Sequence, residues 1–234
     1  MRFEGFGAGA VEFYEGLEAD NTKAYWTDNR ALYREHVREP MEALLAELEP
    51  EFAADLGDDA SVRAKVFRPH RDLRFSRDKS PYKTHCGAVI EQGRGAGAYY
   101  VEISANGMLV AGGCYHTERD QLARFRDAVH TELHGERLRK LLDGLTGWEV
   151  KGDRLATRPR GVSADHPRLD LLRHRTLYAV RRWEPDDVLH ERACLDRVRD
   201  HWRQVRELNR WCADHIGATE LRRCLRRCVC GDLR

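Results

Sequence analysis

The chain has 234 residues, of which 41% are hydrophobic, and its 40 basic and 39 acidic side chains leave a net charge of +1 at pH 7. This length fits one domain, and the hydrophobic content is high enough to form a core, which excludes wholesale disorder. The near-neutral charge excludes a histone-like protein or one with an acidic tail. The sequence contains no run of 18 apolar residues and no signal-peptide pattern at its start. It therefore predicts a cytoplasmic protein without a membrane partner.

The charge is unevenly distributed along the chain. Residues 1–60 carry 15 acidic and 5 basic side chains, whereas the other 174 residues carry 24 acidic and 35 basic ones. We expect the two parts to neutralise each other partly on folding, through contact between the acidic helices and a basic loop described below.

The first predicted elements are helical. Apolar residues at helical spacing predict a short helix over 11–19 and a longer amphipathic helix over 26–52. Pro40 interrupts the second pattern, which predicts a kink or two abutting helices there. Asp20 or Asn21 is the expected cap at its start.

A block of predicted strands follows, over 62–68, 85–91, 98–104 and 108–115. Asn106-Gly107 between the last two is typical of a two-residue hairpin turn. Gly112-Gly113 within the last strand indicates a bulge, or a close approach by a ligand or another part of the backbone.

The second half of the chain is predicted to alternate between helix and strand. The expected elements are a helical region over 117–144 with a break at Gly135, a hairpin over 148–157, a helical turn over 166–174, a strand over 176–183 and a long helix from Pro185. This order predicts an α+β fold. It has one antiparallel sheet, a meander, with helices packed on one face and long N- and C-terminal helices.

We expect a single domain over residues 1–217 and a basic, cysteine-rich tail over 218–234. Cys224, Cys228 and Cys230 in this tail are either metal ligands or part of a frayed terminus, and their spacing favours the frayed terminus. The odd total of seven cysteines argues against a disulfide framework. Rossmann and P-loop glycine patterns are absent, which disfavours nucleotide binding of either kind. No cofactor and no metal is predicted.

The most distinctive segment is the basic loop, residues 68–85, between two predicted strands. It holds six Lys or Arg residues against two aspartates, together with hydroxyl-bearing side chains. Guanidinium and ammonium groups bind carboxylate or phosphate, so the loop predicts an anion site. The candidate ligand-binding residues here are Arg71, Asp72, Arg74, Ser76, Asp78, Lys79, Tyr82 and Lys83.

A second loop, residues 158–167, is expected to converge on the basic loop. Arg158 and Arg160 would add two guanidinium groups, and His166 would donate or accept a proton near neutral pH. For His166, a structural place at the start of a helix with a satisfied ring is the favoured interpretation.

The pattern of residues 71–83, Arg-Asp-x-Arg-Phe-Ser-x-Asp-Lys-Ser-Pro-Tyr-Lys, resembles the signature of a bacterial and fungal family catalogued as domain of unknown function 2461. Trp26-x-Asp-Asn-Arg30, Tyr99-Tyr100 and His166-Pro167 resemble its other motifs. The resemblance covers about residues 3–216. It implies a single domain of intracellular proteins and no established activity.

The favoured function is an intracellular domain that binds a small phosphate- or carboxylate-bearing molecule through residues 71–83, either as a binding domain or as an enzyme. No nucleophile motif identifies a reaction. In the alternative, the loop is a structural latch whose aspartates pair with its arginines, and the protein is a nucleic-acid-binding or protein-interaction module. Nucleic-acid binding is disfavoured by the near-neutral charge.

Overall fold

A computed structural model describes residues 2–56, 62–74, 76–92 and 97–221. The α-helices are α1 (Gly9–Ala19), α2 (Lys23–Asp28), α3 (Arg30–Tyr33), α4 (Glu39–Ala53), α5 (Arg119–His130), α6 (Glu132–Asp143), α7 (Leu169–Leu172), α8 (Ala193–Gln204) and α9 (Arg206–His215). The strands are β1 (Val62–Val66), β2 (His85–Gln92), β3 (Ala98–Ser104), β4 (Gly107–Cys114), β5 (Glu149–Lys151) and β6 (Leu177–Trp183). Cys224, Cys228 and Cys230 lie outside the described residues, so the prediction for the tail stays a prediction.

The strands form one antiparallel sheet in the order β1-β2-β3-β4-β6-β5. Strands β1 to β4 follow one another as a meander, and the Asn106-Gly107 turn joins β3 to β4 as predicted. The predicted α+β fold with one antiparallel sheet is confirmed. In the described residues no helix is both long enough and apolar enough to cross a membrane.

The two faces of the sheet have different environments because side chains alternate along each strand. On β3, Tyr99, Val101 and Ile103 are fully buried in the main core, against helices that include α1, α4, α8 and α9. We call the opposite side the open face. It carries a small separate apolar cluster of Leu109, Ala111 and Val180, against which Tyr100 and Tyr178 pack.

The glycine pair within β4 lies where another element approaches closely, as the sequence indicates. A Cβ atom at Gly112 would lie 2.5 Å from the Cγ2 atom of Val205. The helical chain is interrupted at Val205, between α8 and α9, whereas one long helix was predicted there. Asn209, fully buried on α9, accepts a hydrogen bond of 2.7 Å from the backbone N–H of Gly113. Close packing on β4 therefore accompanies the division of the terminal helix.

The predicted hairpin over 148–157 is wrong. Strand β5 pairs with β6 instead, and an isolated bridge joins Arg154 to His174. The backbone N–H of Arg175 donates to the Asp153 carbonyl at 2.7 Å. The pairing partners of this segment thus lie at least 20 residues further along the chain, and the spacing of residues within 148–157 gives no information about them.

The predicted helix boundaries need three corrections. The α5–α6 break falls at Thr131, whose backbone is extended. Gly135, where the break was predicted, lies within α6 and makes room for the Arg168 side chain. Thr22, rather than Asp20 or Asn21, caps α2 by accepting from the Tyr25 N–H at 3.2 Å. The interruption near Pro40 takes the form of a π-helical turn before α4.

The acidic N-terminal region is partly neutralised by the C-terminal helices. Glu51 and Asp55 contact four arginines on α8 and α9: Arg199, Arg203, Arg206 and Arg210. Glu47 likewise pairs with Arg192 at 2.6 Å. The basic partner of these carboxylates is therefore the C-terminal helical region, whereas the basic loop was expected.

Candidate functional site

The basic loop lies at one end of the sheet, beside its β1 edge. His85, where β2 begins, pairs with Ser104 at the end of β3, next to the β3–β4 turn. The loop backbone is partly ordered by its own pairing, since the Arg71 N–H donates to the Pro81 carbonyl at 2.9 Å and the Lys83 N–H donates to the Pro69 carbonyl at 2.8 Å. The segment is therefore an ordered loop that connects β1 to β2.

Tyr82 attaches the loop to the N-terminal helices. Its ring is buried and stacks on Trp26, with 4.4 Å between centroids and an interplanar angle of 11°. The Asn21 side chain donates to the Tyr82 carbonyl at 3.1 Å and accepts from the Tyr82 N–H at 3.0 Å. Tyr82 is thus occupied by contacts within the protein.

The arginines predicted to bind a ligand contact the aspartates of their own loop. Arg74 binds Asp72 through two hydrogen bonds, Nε to Oδ1 at 2.9 Å and Nη2 to Oδ2 at 2.5 Å. These contacts lower the pKa of Asp72 to about 2. Arg71 binds Asp78. Hydrogen bonds from Ser80, followed by that from Arg71, hold the pKa of Asp78 well below its usual range.

Lys79 and Ser76 are two further candidate residues of the loop. The exposed Lys79 ammonium donates to the Leu73 carbonyl at 3.0 Å. Ser76 is half-buried. The part of the loop from residue 71 to residue 80 is therefore cross-linked largely by its own charged and polar groups.

Lys83 differs from these cations. Its ammonium lies 5.1 Å from the centroid of the Phe67 ring, at cation–π distance. Lys65, which also lies over this ring, is paired with Glu91. Within the described ranges, Lys83 has no carboxylate partner.

Phe67 connects Lys83 to a polar cluster on the open face. The Phe67 N–H donates to the Gly87 carbonyl at 2.9 Å, and the Phe67 and Tyr100 rings are 6.3 Å apart. The Tyr100 hydroxyl donates to Glu102 Oε2 at 2.5 Å. His85 Nε2 lies 3.8 Å from the same carboxylate oxygen. We call these three residues the His85–Glu102–Tyr100 cluster.

Gly87 provides the space for the Tyr100 ring on the neighbouring strand. A Cβ atom at position 87 would lie 2.4 Å from the Tyr100 hydroxyl oxygen. The side chains of His85 and Glu102 are also largely buried, with 17% of the His85 side chain and 13% of the Glu102 side chain exposed. The cluster is thus a partly buried polar group on an otherwise apolar part of the open face.

The chemistry of the cluster follows from its burial. Burial raises the pKa of Tyr100 well above its ordinary value, and the nearby charge of Glu102 adds to this effect. Tyr100 therefore remains a hydroxyl donor near neutral pH. Glu102 can accept further hydrogen bonds from a ligand, and the His85 imidazole can donate or accept them.

The second loop lies far from this cluster. It leads into the start of β6, and Leu177 there pairs with Cys114 at the end of β4, which is the opposite end of the sheet from His85. Strands β3 and β4 also separate β6 from β2. The structure therefore does not bring the two loops together, and their expected convergence is wrong.

Two of the three candidate residues of the second loop, Arg158 and His166, form hydrogen bonds with groups close to them in the sequence. Arg158 donates to the Val162 carbonyl at 3.3 Å, and Arg160 is exposed. His166 accepts at Nδ1 from the Arg168 N–H at 3.1 Å, and its Nε2 lies 3.1 Å from His130 Nδ1. Burial and the neighbouring His130 lower the pKa of His166. Both ring nitrogens thus have partners within the protein.

The sequence contains a signal for the cluster that the prediction of a loop site did not use. Tyr100 and Glu102 alternate with the apolar Tyr99, Val101 and Ile103, which places both polar groups on one face of β3. The alternation does not predict the register of β3 with β2, in which Glu102 pairs with Gly87. His85 reaches Glu102 only in this register.

No group of three or more His, Cys, Asp or Glu side chains with the arrangement of a metal site occurs in the described part of the chain. The buried thiols of Cys86, Cys114 and Cys194 are protonated near neutral pH, because burial raises the pKa of each to about 12. The described site therefore offers hydrogen-bonding groups and, in Lys83, a cation without a carboxylate partner among the described residues.

Comparison with known proteins identifies a family match. The sequence model of a family described as conserved hypothetical protein (DUF2461) matches residues 9–211, which include the basic loop, the open face and all three residues of the cluster. No curated protein matches the sequence.

Proposed function

We propose a function from the geometry of the site, because the chain belongs to the DUF2461 family, whose description as conserved hypothetical protein names no activity. The proposed function is the binding of a small molecule that carries a phosphate or carboxylate group. Lys83 binds the anionic group, and the His85–Glu102–Tyr100 cluster binds hydroxyl or amino groups of the same ligand.

One observation carries this proposal. The Lys83 ammonium lies 5.1 Å from the centroid of the Phe67 ring, and that ring lies 6.3 Å from the Tyr100 ring. Among the described residues Lys83 has no carboxylate partner, whereas Arg71 and Arg74 contact the aspartates of their own loop. A half-buried ammonium group without a counter-ion favours an anionic ligand. The proposal therefore moves the anion-binding role from the arginines to Lys83.

Arg71, Asp72, Arg74 and Asp78 then have a supporting role. Their mutual contacts support the second candidate function, a structural latch, for residues 71–80. The two roles are compatible, since an internally paired loop holds Lys83 and Tyr82 in place. The neutralisation of α4 by α8 and α9 gives no additional support to nucleic-acid binding.

A thermal-shift screen tests the proposal. Phosphorylated and carboxylated metabolites are added to the wild-type protein, to Lys83→Ala and to Lys140→Ala. Lys140 is an exposed lysine on α6, so its variant makes the same change in charge. A ligand at 100 times its Kd adds about 2.7 kcal/mol to the free energy of unfolding.

We expect at least one compound that stabilises the wild type and Lys140→Ala and that stabilises Lys83→Ala much less. A phosphorylated compound without a carboxylate that stabilises all three proteins equally would contradict the role of Lys83. The absence of any hit from a broad anionic panel would favour the latch as the role of the whole loop.

A further inference from the structure

A polar cavity lies next to strand β5, at the opposite end of the sheet from the cluster. Its volume is about 240 Å³. Its apolar wall consists of Leu142, Val150 and Leu171, and Val150 is 40% exposed although it is apolar. An exposed apolar side chain in the wall of a small cavity can contact the carbon skeleton of a ligand.

His174 is the buried polar residue of this cavity, with 5% of its surface exposed. Its Nδ1 lies 3.0 Å from the Thr176 carbonyl oxygen. A carbonyl oxygen only accepts hydrogen bonds, so Nδ1 carries the proton and Nε2 carries a lone pair. Within the part of the chain that the structure describes, Nε2 has no hydrogen-bond partner.

The neutral form of His174 is favoured by its surroundings. Burial lowers its pKa, and the hydrogen bond to Thr176 opposes this effect only in part. The imidazole therefore keeps the Nε2 lone pair near neutral pH and can accept a hydrogen bond from an N–H or O–H group.

The charged residues of the cavity fall into paired and unpaired groups. Arg139 donates to both carboxylate oxygens of Asp170, at 2.8 and 3.3 Å, so these two charges balance each other. Arg154 donates to the backbone carbonyl of Asp170 at 3.4 Å and has no carboxylate partner among the described residues. The positive charge of Arg154 is thus available to an anion at the cavity.

We propose that this cavity binds a small carboxylic acid that carries a hydroxyl or amino group. Arg154 pairs with the carboxylate, the hydroxyl or amino group donates to His174 Nε2, and the carbon skeleton lies against Val150, Leu142 and Leu171. Asp143, which also lines the cavity, favours the amino acid over the hydroxy acid because it attracts an ammonium group. This proposal is independent of the one for Lys83.

Isothermal titration with L-lactate, L-alanine, L-leucine and acetate tests the proposal. Acetate lacks the donor group, and the two amino acids differ in the size of the apolar part. We expect a saturable heat for the amino acids, a weaker one for lactate, and none for acetate. A panel in which no compound binds with a Kd below about 1 mM would overturn the proposal.

Three variants locate the binding. Arg154→Gln removes the charge of an exposed side chain, and His174→Asn keeps a donor for Thr176 while it removes the Nε2 acceptor. Each is expected to raise the Kd about tenfold or more, since each removes a hydrogen bond to a charged or polar group. Arg63→Gln, a matched loss of charge at an exposed arginine on β1, the edge strand opposite β5, should leave the Kd unchanged.

Binding that survives both Arg154→Gln and His174→Asn would overturn the proposal. The Lys83→Ala variant separates the two sites. It should bind the amino acids as the wild type does, so the failure of one site leaves the result for the other unaffected.

Discussion

Asn21 and Tyr82 are joined by two hydrogen bonds in which the Asn21 side-chain amide pairs with both backbone groups of Tyr82, at 3.1 and 3.0 Å. The amide thus completes the backbone hydrogen bonds of the basic loop as a neighbouring strand would. Because Tyr82 is adjacent to Lys83, this contact also determines where the proposed anion-binding group lies.

Replacement of Asn21 by Ala should destabilise the protein. It leaves the N–H and the carbonyl of Tyr82 without their partner, at a cost of about 1–3 kcal/mol. Urea denaturation measures this loss as a lower midpoint. Asp20→Ala, at an exposed neighbouring position, serves as the control and should change stability by less than about 0.5 kcal/mol. Equal stability of the two variants would show that the contact is unimportant.

Gly87 and Tyr100 should be energetically coupled. In Gly87→Ala the new methyl group meets the Tyr100 ring, so we expect a loss of about 1–3 kcal/mol. Tyr100→Val removes the ring, so the double variant should be more stable than the sum of the two single losses predicts. A double-mutant cycle by urea denaturation measures the coupling, which is expected to be about 0.5–3 kcal/mol. Additive losses would mean that the ring does not lie over Gly87.

The prediction from sequence succeeded where the information is local. The alternating pattern of 98–104 and the Asn106-Gly107 turn are properties of neighbouring residues, and both elements occur as predicted. The stripe of apolar residues in 26–52 likewise predicts helix and its buried face. Local periodicity therefore gave the fold class and most of the elements.

The site depends on contacts between residues that are far apart in the sequence, and no local sequence pattern predicts such contacts. The partner of Arg71 is Asp78, seven residues away in an irregular loop, and the partner of β5 is β6. His85 meets Glu102 only through the register of β2 and β3. The dense positive charge predicts a site at the end of the sheet where Lys83 lies, but pairing within the loop changes which cation is available.

The Glu47–Arg192 pair makes stability depend on pH. The hydrogen bonds from Arg192, with one from the Phe3 N–H, lower the pKa of Glu47 to about 2 in the folded protein, from an ordinary value of 4.5. A depressed carboxyl pKa stabilises the fold above the unfolded pKa, and this stability is lost as the pH falls through the folded pKa. The loss therefore falls between about pH 4.5 and about pH 2.

Glu47→Gln tests this dependence. Its free energy of unfolding should be lower than that of the wild type at pH 7, and the difference should shrink on acidification from about pH 4.5 towards pH 2, where Glu47 itself becomes protonated. Thermal unfolding at a series of pH values measures the difference. A difference that is constant from pH 7 to pH 2.5 would contradict the assignment.

The Glu102 carboxylate should hold the open face together through Tyr100. In Glu102→Gln the Tyr100 hydroxyl can still donate to the amide oxygen, whereas Glu102→Ala leaves the hydroxyl without this acceptor. We therefore expect the Ala variant to be less stable than the Gln variant by about 1–2 kcal/mol. Guanidinium denaturation of the two variants provides the comparison, and equal stabilities would argue that water replaces the carboxylate.

Lys83 and the open face are proposed to form one anion site. The most direct measurement is a titration of inorganic phosphate followed by the backbone amide signals of the isotope-labelled protein. We expect saturable shifts concentrated at Phe67, Lys83, Gly87 and Glu102 in the wild type, retained in Lys140→Ala and lost in Lys83→Ala. Shifts concentrated instead at residues 71–80, or unchanged in Lys83→Ala, would contradict the proposal.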